Sequence, residues 1–452
     1  MRQKITLIFD IGKTNKKYFL FDENLVEVKS AYKQIPEVTD DDGFACDDLT
    51  SIEHWVFSVY EEIKSNADYE ISFVNFSTYG ATMVHLDESG KPCTPLYNYL
   101  KDIPDDIKQL FEQKYGDINT WSRQTASPFL GMLNAGLQLF WLKYKKSALF
   151  KKIGKTVFLP QYLSYRFSKE LITEFTGIGC HTGMWDFGKN DYHLWMYAEG
   201  FIKLLPEMHP TDTSFIIPGT SIKVGAGIHD SSAALIPYLL KVSEPFILLS
   251  TGTWSICLNP FNDEPLTEEE LSEDCLCYLQ PDGKQVKASR YFLGNKFTQW
   301  VKKLDMHFNR QANYHYTISF QNKLLTKAEG ILSSLFTGNS NINDIYFSKM
   351  DITDLNWFDN YEEAYHHLLK ELVEKQVQKI GLVIGSVKIN TIYVDGGFAG
   401  NKVFIAMLQE MMPHFNIIPS EMPLGTSLGA ALMDTDANLK IQAVLLTQTN
   451  QA

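Results

Sequence analysis

Two stretches of the chain, about 240 residues apart, follow the same plan and could hold a polyphosphate. Each consists of an apolar strand, a tight turn that contains Gly and Thr, and a second apolar strand. The first turn is Asp10-Ile-Gly12-Lys13-Thr14-Asn15, and the second is Ser250-Thr251-Gly252-Thr253. A glycine in such a turn lets backbone N–H groups and hydroxyls approach a ligand closely. Because each turn opens a candidate domain, the pair suggests a duplicated fold that grips one polyphosphate from both sides.

Asp10 is the first candidate for metal chemistry. Its carboxylate stands at a strand end, where it can hold Mg²⁺ directly or through water while the turn meets phosphate oxygens. The neighbouring Gly12-Lys13-Thr14 is not a P-loop, because that motif needs a glycine where Leu7 stands. Asp-x-Gly also closes many purely structural hairpins, so the motif alone leaves both interpretations open.

Asp230 is the candidate for proton transfer. It lies in Gly227-Ile-His229-Asp230-Ser231, just before a run of small residues that predicts a helix. One interpretation is an N-cap, which typically contributes about 1 kcal/mol. The other is a general base that accepts a hydroxyl proton during phosphoryl transfer. His229 is either a packed residue or a neighbour of that base.

A third glycine motif, Asp395-Gly396-Gly397-Phe398-Ala399-Gly400-Asn401, follows a predicted strand at 391–394 and precedes a predicted helix. Adjacent glycines at such a turn let a nucleotide lie against the backbone. A tight turn with an Asn cap is the structural alternative. The segment lacks the Gly-x-Gly-x-x-Gly spacing, so a dinucleotide fingerprint is not supported.

The composition restricts the class of ligand. The chain has 452 residues, 44% hydrophobic and 21% charged, which suits two globular domains. A formal charge of −13 argues against a nucleic-acid or an anionic-membrane partner. The expected ligands are therefore small molecules, and no nucleic acid or membrane is expected.

The cysteines and the N-terminal residues predict a cytoplasmic protein. Six scattered cysteines include one close pair, Cys275 and Cys277, without a second pair at zinc spacing. We therefore expect reduced thiols. The apolar run Ile5–Phe9 is too short for a signal peptide or a membrane span.

The order of apolar runs predicts an α/β protein. Runs at 5–9, 18–21 and 25–35 indicate an antiparallel meander. A helix with helically spaced apolar residues follows, and then a buried strand over 71–76. Further predicted elements are helices over 104–115, 131–150, 361–385 and 400–412, a hairpin over 246–259 and a small-residue helix that ends near Met433. Residues 262–275 are predicted to be surface loop, and 436–452 a polar tail.

The order of the motifs resembles that in the FGGY carbohydrate kinases. These kinases belong to the sugar kinase, actin and heat-shock chaperone superfamily. The resemblance covers about residues 4–435. It implies two actin-like (ribonuclease-H-like) domains with an interdomain cleft, and the cofactors ATP and Mg²⁺. We place the domains at 1–224, mainly sugar-binding, and 225–435, mainly ATP-binding, because Gly225 and Gly227 suit a bend.

The resemblance assigns roles residue by residue. Asp230 matches the family's catalytic base and Asp10 its magnesium-associated acid. Positions that match the phosphate turns and the nucleotide site are Gly12, Lys13, Thr14, Asn15, Gly252, Thr253, Gln299, Gly396, Gly397 and Asn401. Positions that match the sugar site are Tyr79, Gly80, His229, Asp230 and Ser231.

The segment Ser77-Thr-Tyr79-Gly80, with Gly252-Thr253-Trp254, is most similar to the rhamnulose and fuculose kinases. Two departures concern the sugar pocket. The usual Trp-x-Asp-x-Arg is replaced by 97–101, and Tyr291-Phe-Leu-Gly294 stands before Gln299 where rhamnulose kinases have Asn-x-x-Gly.

The resemblance therefore implies a kinase that phosphorylates a ketose, with L-rhamnulose or L-fuculose as the best candidates. An ATPase or a sugar-sensing pseudokinase of the same superfamily is the alternative. The partners are then the sugar and ATP, and a homodimer is compatible with the sequence.

Overall fold

The computed structural model describes residues 2–326, 352–420 and 425–434. The predicted polar tail at 436–452 lies outside these residues. In the described part of the chain, no helix combines the length and apolar character needed to cross a bilayer.

The first half of the chain forms a seven-stranded sheet. Its N-terminal strand lies parallel to Tyr69–Thr78 on one side and antiparallel to Lys16–Phe21 on the other. The predicted meander is confirmed. In spatial order the strands are Ser214–Ile216, Lys223–Gly225, Tyr69–Thr78, Gln3–Ile11, Lys16–Phe21 and Glu27–Lys33, and Ile228–His229 also pairs with Tyr69–Thr78.

The second half forms a six-stranded sheet with the same central arrangement. Phe246–Thr251 lies antiparallel to Ser255–Asn259, as the predicted hairpin requires, and parallel to Thr391–Gly396. The duplication inferred from the two turns is therefore present in the strand pairing. In spatial order the strands are Cys275–Leu279, Gln285–Tyr291, Ser255–Asn259, Phe246–Thr251, Thr391–Gly396 and Asn416–Pro419.

Helices and short strand pairs cover and connect the two sheets. The α-helices of the described residues are Leu49–Ser65, Asp105–Tyr115, Ile118–Gln124, Gly136–Lys145, Ser147–Phe150, Leu159–Ser168, Phe175–Ile178, Leu194–Glu199, Asp230–Lys241, Glu268–Ser272, Leu293–His307, Lys323–Thr326, Tyr361–Gly381, Lys402–Met411 and Gly425–Ala431. Segments of 3₁₀-helix are Gly131–Leu133, Phe201–Leu204, Tyr314–Thr317 and Ile352–Trp357. The short strand pairs are Val38–Thr39 with Ala45–Cys46, Met83–Leu86 with Lys155–Phe158, Thr173–Glu174 with Met208–His209, and Trp185–Asp186 with Asp191–Tyr192.

One prediction, a surface loop over 262–275, is wrong in part. Glu268–Ser272 is helical because Thr267 and Glu270 form a reciprocal capping box at its start. Leu266, Leu271 and Cys275 are buried. The many acidic residues of this segment led to the prediction of a surface loop, although these three apolar residues are buried in the protein.

The predicted helix over 131–150 is interrupted. A 3₁₀ turn precedes Gly136–Lys145, and Lys146 leaves helical geometry with φ −124° before a short second helix begins. The predicted helix over 361–385 ends at Gly381. Apolar periodicity alone did not reveal either boundary.

The helix Gly425–Ala431 packs on the helix Asp230–Lys241 and on the first sheet. Its contact is so close that a Cβ added to Gly429 would lie 1.8 Å from the carbonyl oxygen of Ala233. Asn75 of the central strand donates to the carbonyl of Ala430 at 2.8 Å. The end of the described chain is thereby joined to the strand that carries the candidate sugar segment.

We expect Gly429→Ala to lower the free energy of unfolding by about 1–3 kcal/mol, because the methyl group must push one helix backbone away from another. Urea denaturation measures this loss. The matched control is Gly381→Ala, where an added Cβ meets nothing within 4 Å. Equal midpoints for the two variants would contradict the close packing.

Candidate active site

The register of the first sheet places three predicted residues at one edge. Asp10 pairs with Ser77 across the parallel strands, and His229 pairs with Thr78 on the same central strand. Neighbouring strands that end together present their last side chains at a common edge. Asp10 and the His229–Asp230 turn therefore meet there although they are far apart in sequence.

The carboxyl of Asp10 faces the charge of Asp230. Burial and, secondly, the negative charge of Asp230 raise the pKa of Asp10 to about 7, while Lys17 lowers it. An acid in such surroundings is a suitable partner for a cation, because a positive ion would offset both effects.

Asp230 is the first residue of the helix Asp230–Lys241, as the small-residue run predicted. Its Oδ1 accepts from the backbone N–H of Ser231 at 2.6 Å, and from the Ser231 hydroxyl at 3.2 Å. Nε2 of His229 lies 3.1 Å from the same oxygen. Although burial raises it, the pKa of Asp230 is lowered overall by these donors. The group is therefore an ionised carboxylate that can accept a proton.

Sequence reasoning missed two residues beside His229. Sγ of Cys180 lies 3.2 Å from Nε2 of His229 and 3.3 Å from Nε2 of His181. Burial raises the pKa of the Cys180 thiol, but the two imidazoles lower it to about 6. Burial lowers the pKa of His229, but Cys180 and Asp230 raise it to about 10. A separation of 49 residues between Cys180 and His229 left no local pattern to detect.

A buried acid, Glu174, fixes the backbone of this turn. It accepts hydrogen bonds from the backbone N–H of Thr176 at 2.7 Å and from the hydroxyls of Thr176 and Thr211 at 2.9 and 2.6 Å. The Thr176 hydroxyl oxygen in turn accepts from the backbone N–H of His229 at 3.0 Å. The position of His229 therefore depends on a satisfied polar network rather than on apolar packing alone.

Gly225 and Gly227 are needed for close packing. Gly225 lies in a strand, where an added Cβ would come within 2.6 Å of the Asn75 side chain. Gly227 has φ +83°, and an added Cβ would lie 2.6 Å from the carbonyl of Pro160. The first sheet takes strands from residues up to His229 and the second begins at Phe246; a domain boundary at 224/225 stays a prediction.

The first phosphate turn closes as a hairpin, in which the N–H of Gly12 donates to the carbonyl of Asn15 at 3.0 Å. The Lys13 ammonium forms ion pairs with two carboxylates and is therefore not an unpaired charge beside the turn. It contacts Asp47 at 2.6 Å and Glu37 at 2.8 Å. Within the described residues the Thr14 side chain makes no hydrogen bond, and Oδ1 of Asn15 accepts weakly from the Gln34 amide at 3.4 Å.

Asp47 is a further residue that the sequence did not reveal. It is buried and also accepts from Lys16 at 2.8 Å and from the hydroxyl of Tyr79 at 2.7 Å. Tyr79 therefore directs its hydroxyl to Asp47. Gly80 follows it and lies against Cys180, where an added Cβ would be 2.3 Å from Sγ.

Tyr79, Gly80 and His229 border one small cavity of about 10 Å³. Such a volume holds at most one water molecule. A sugar that contacts these residues must therefore bind at their open side or after a movement of the surrounding elements.

The second phosphate turn and the third glycine motif are in contact. The Thr251 hydroxyl donates to the carbonyl of Asp395, and its oxygen accepts from the N–H of Phe398 at 3.0 Å. Gly396 has φ +82°, and an added Cβ would lie 1.9 Å from the carbonyl oxygen of Thr251. Gly397 donates its N–H to that same carbonyl at 2.8 Å.

The turn Gly252-Thr253 is bordered by a third glycine, Gly294, where an added Cβ would lie 1.9 Å from the carbonyl oxygen of Gly252. Gln299 belongs to the helix that begins at Leu293 and donates to Oδ1 of Asn295 at 2.7 Å. Asn295 donates its backbone N–H to Thr253 at 3.2 Å. The close contact between Gly294 and Gly252 explains why a glycine precedes Gln299 in this segment.

Asn401 is the N-cap of the helix Lys402–Met411, which is the structural alternative considered for it. Its Oδ1 accepts from the N–H of Phe404 at 3.1 Å, and its amide donates to the hydroxyl of Tyr365 at 2.9 Å. The cap orients the start of this helix directly behind the two adjacent glycines.

Comparison with known proteins gives a family match over half of the chain. Residues 5–230 match the model described as "FGGY family of carbohydrate kinases, N-terminal domain". A rhamnulokinase from Mannheimia succiniciproducens is 24% identical over 55% of this chain and 52% of its own length. A gluconokinase from Bacillus subtilis is 23% identical over 65% of this chain and 58% of its own length.

An L-fuculokinase from Haemophilus influenzae is 22% identical over 68% of this chain and 66% of its own length. The matched region thus spans between about half and two thirds of these curated relatives.

The fold is also that of solved carbohydrate kinases. The crystal structure of a carbohydrate kinase from Novosphingobium aromaticivorans superposes with a TM-score of 0.77, at 20% identity, over 97% of this chain and 92% of that chain. The two-sheet architecture is accordingly the actin-like ATPase fold. The motif order, the sheet arrangement and the family match agree, and the chain belongs to the FGGY family of carbohydrate kinases.

Proposed function

We propose that this chain transfers the γ-phosphoryl group of ATP to a hydroxyl of a ketose, with Asp230 as the general base. The observation that supports this most is the ionised Asp230 carboxylate at a helix start, next to Asp10 at the edge of the first sheet. Its Oδ1 is held by Ser231 and lies beside His229. In this proposal Oδ2 takes the hydroxyl proton as the hydroxyl oxygen attacks the γ-phosphorus, and the bond between the γ-phosphorus and the bridging oxygen breaks so that ADP leaves.

The residues around Asp10 fit magnesium. A carboxylate oxygen is a donor that Mg²⁺ prefers, and the raised pKa of Asp10 reflects burial and the nearby negative charge of Asp230. When bound, the ion neutralises charge on the phosphates. Asp10 would hold its hydration shell or coordinate it directly. The N–H groups of Lys13 and Thr14 would orient phosphate oxygens, since that of Gly12 already donates to the carbonyl of Asn15.

The second sheet offers the surface for ATP. The turn Gly252-Thr253 and the pair Gly396-Gly397 are joined through Thr251, and their three glycines carry no side chain that would keep a nucleotide away. In the proposed mechanism the backbone N–H of Thr253 stabilises developing charge, because the N–H groups of Gly252, Gly396 and Gly397 already donate to Trp254, Asp395 and Thr251. Closure of the domains excludes competing water.

The proposed acceptor is a 6-deoxy-ketohexose such as L-rhamnulose or L-fuculose. Thr78-Tyr79-Gly80 and Gly252-Thr253-Trp254 support it, as do the rhamnulokinase and L-fuculokinase relatives. The gluconokinase relative instead supports a sugar acid as the acceptor. In the segment that departs from the family pattern, the Lys101 ammonium contacts Asp40 at 2.6 Å and Asp42 at 2.5 Å, so its charge is already matched.

A coupled assay for ADP release tests the proposal with L-rhamnulose, L-fuculose, L- and D-ribulose, D- and L-xylulose, glycerol and gluconate. We expect ATP turnover that depends on a ketose and is fastest with a 6-deoxy-ketohexose. Turnover without any acceptor would favour an ATPase, and sugar binding without turnover would favour a pseudokinase. Preference for gluconate or glycerol would refute the sugar assignment and leave the kinase assignment intact.

The proposed substrate should also make the protein more compact. A ligand can shift a domain equilibrium only if it binds the closed state better, so only the true acceptor should reduce the radius of gyration. Small-angle scattering with and without each sugar measures this. An unchanged radius with a proven substrate would contradict closure, and water exclusion would then need another explanation.

We place this activity in the cytoplasm. All six cysteines are unpaired, which is compatible with a reducing compartment.

A further inference from the structure

A row of polar side chains leads from Asp230 into the protein interior. Nε2 of His229 lies 3.1 Å from Oδ1 of Asp230 and 3.2 Å from Sγ of Cys180. Sγ lies 3.3 Å from Nε2 of His181, and Nδ1 of His181 lies 3.0 Å from the carbonyl oxygen of Leu133. Cys180, His181 and His229 are only 0%, 7% and 4% exposed. The row therefore joins the carbonyl group of Leu133 to the proposed base through side chains that are almost wholly buried.

The chemistry of the two ends assigns most hydrogens in this row. The carbonyl of Leu133 only accepts, so Nδ1 of His181 carries a hydrogen and donates it. The ionised carboxylate of Asp230 also only accepts, so Nε2 of His229 carries a hydrogen that faces Oδ1 and Sγ. Only the hydrogen between Sγ and Nε2 of His181 can lie on either atom, and neither arrangement changes the hydrogen on His229.

The backbone around the sulfur is held in uncommon conformations. His181 has φ +39° and Ala81 has φ +56°, both in the left-handed region that residues other than glycine rarely adopt. Between them, Gly80 lies so close that an added Cβ would be 2.3 Å from Sγ. Such outliers cluster at sites where surrounding structure enforces a required geometry.

We propose that Cys180 and His181 are positioning residues that act through His229 to hold the carboxylate of Asp230 in one orientation, an inference that rests on the proposed role of Asp230. Within the described residues, the polar contacts of this carboxylate all involve Oδ1. The other oxygen is thereby left for the sugar hydroxyl.

Other contacts restrain the His229 ring as well. The ring lies against Tyr278 with a centroid distance of 5.3 Å, and Nδ1 lies 3.3 Å from the hydroxyl oxygen of Ser232, which donates its own hydrogen to the carbonyl of Leu279 at 3.3 Å. Cys180 and Asp230 are therefore the groups that hold the Nε2 hydrogen in place. Without the sulfur, the ring can turn, and Oδ1 then loses a donor.

The first test is spectroscopic and does not require turnover. Nitrogen-15 NMR of the ring nitrogens in the full chain should show hydrogen on Nε2 of His229 and on Nδ1 of His181. A shift typical of a bare nitrogen at Nε2 of His229 would overturn the proposal, whatever the activity of the protein.

The second test compares Cys180→Ala, Cys180→Ser and the control Cys257→Ala in the coupled assay. Cys257 is equally buried but lies in the core of the second sheet. We expect Cys180→Ala to lower kcat about 10-fold, the lower range for groups that orient a functional residue, with both KM values within about twofold. Because a serine hydroxyl can replace both hydrogen bonds, Cys180→Ser should recover most of kcat, and Cys257→Ala should keep it.

The kinetic outcomes separate the two proposals. An unchanged kcat in Cys180→Ala, or a Cys180→Ser variant as slow as Cys180→Ala, would overturn the positioning role. If Cys180→Ala does not fold, the spectroscopic result for the unmodified chain decides. If Asp230→Asn keeps full turnover, the base assignment fails and the positioning role fails with it, even where NMR finds the expected hydrogens.

Discussion

Asp230→Asn should lower kcat by at least about 100-fold while ATP and the sugar still bind. The asparagine amide keeps the shape of the side chain but cannot take a proton from the sugar hydroxyl, and general bases typically contribute 10²–10⁴-fold. The variant should fold, because Ser231 can still donate to the remaining side-chain oxygen. Initial rates in the coupled assay, with calorimetric affinities for both ligands, measure the two effects.

A matched control for this variant is Asp282→Asn, which removes an exposed carboxylate whose ion pair, within the part of the chain that the structure describes, is with Lys284. Its kcat should equal that of the parent. If Asp230→Asn turns over within threefold of the parent, Asp230 is not the base, and its contacts with Ser231 and His229 are purely structural.

Asp10→Ala should raise the magnesium concentration needed for half-maximal rate by about 10–100-fold, with little change in sugar affinity. The reason is the location of this carboxyl beside the charge of Asp230 at the edge of the first sheet. Titration of the rate with magnesium at saturating ATP and sugar provides the measurement.

Asp10→Asn is a useful companion because it removes the charge but keeps the volume. Both variants should show the higher magnesium requirement if the charge is what matters. A change confined to sugar affinity would instead place Asp10 in the acceptor pocket, and our division of the two sites would be wrong.

Much of the fold was accessible from local patterns. The strands at 5–9, 18–21 and 71–76 and the hairpin over 246–259 are confirmed, because alternating and continuous apolar runs report burial directly. The helix beginning at Asp230 was also predicted from its small residues. The missed helix Glu268–Ser272 is short and acidic, and its capping box outweighs its weak apolar pattern.

The candidate site was accessible in part. Asp10, Asp230 and the three glycine turns stand out by residue type at strand and helix ends. The reason that each glycine is required could not be predicted from the sequence. Gly396 has φ +82° and lies against Thr251, and Gly294 lies against Gly252. These are contacts between segments far apart in the chain.

By itself the sequence determined which elements form, where their ends carry reactive groups and which family the motif order resembles. Only the tertiary structure decided the environment of those groups. Cys180 approaches His229 across 49 residues, and Lys13 turns towards Asp47, which lies 34 residues away. Side-chain partners and shifted pKa values arise from burial and distances between elements, and these depend on how the sheets and helices pack rather than on any local pattern.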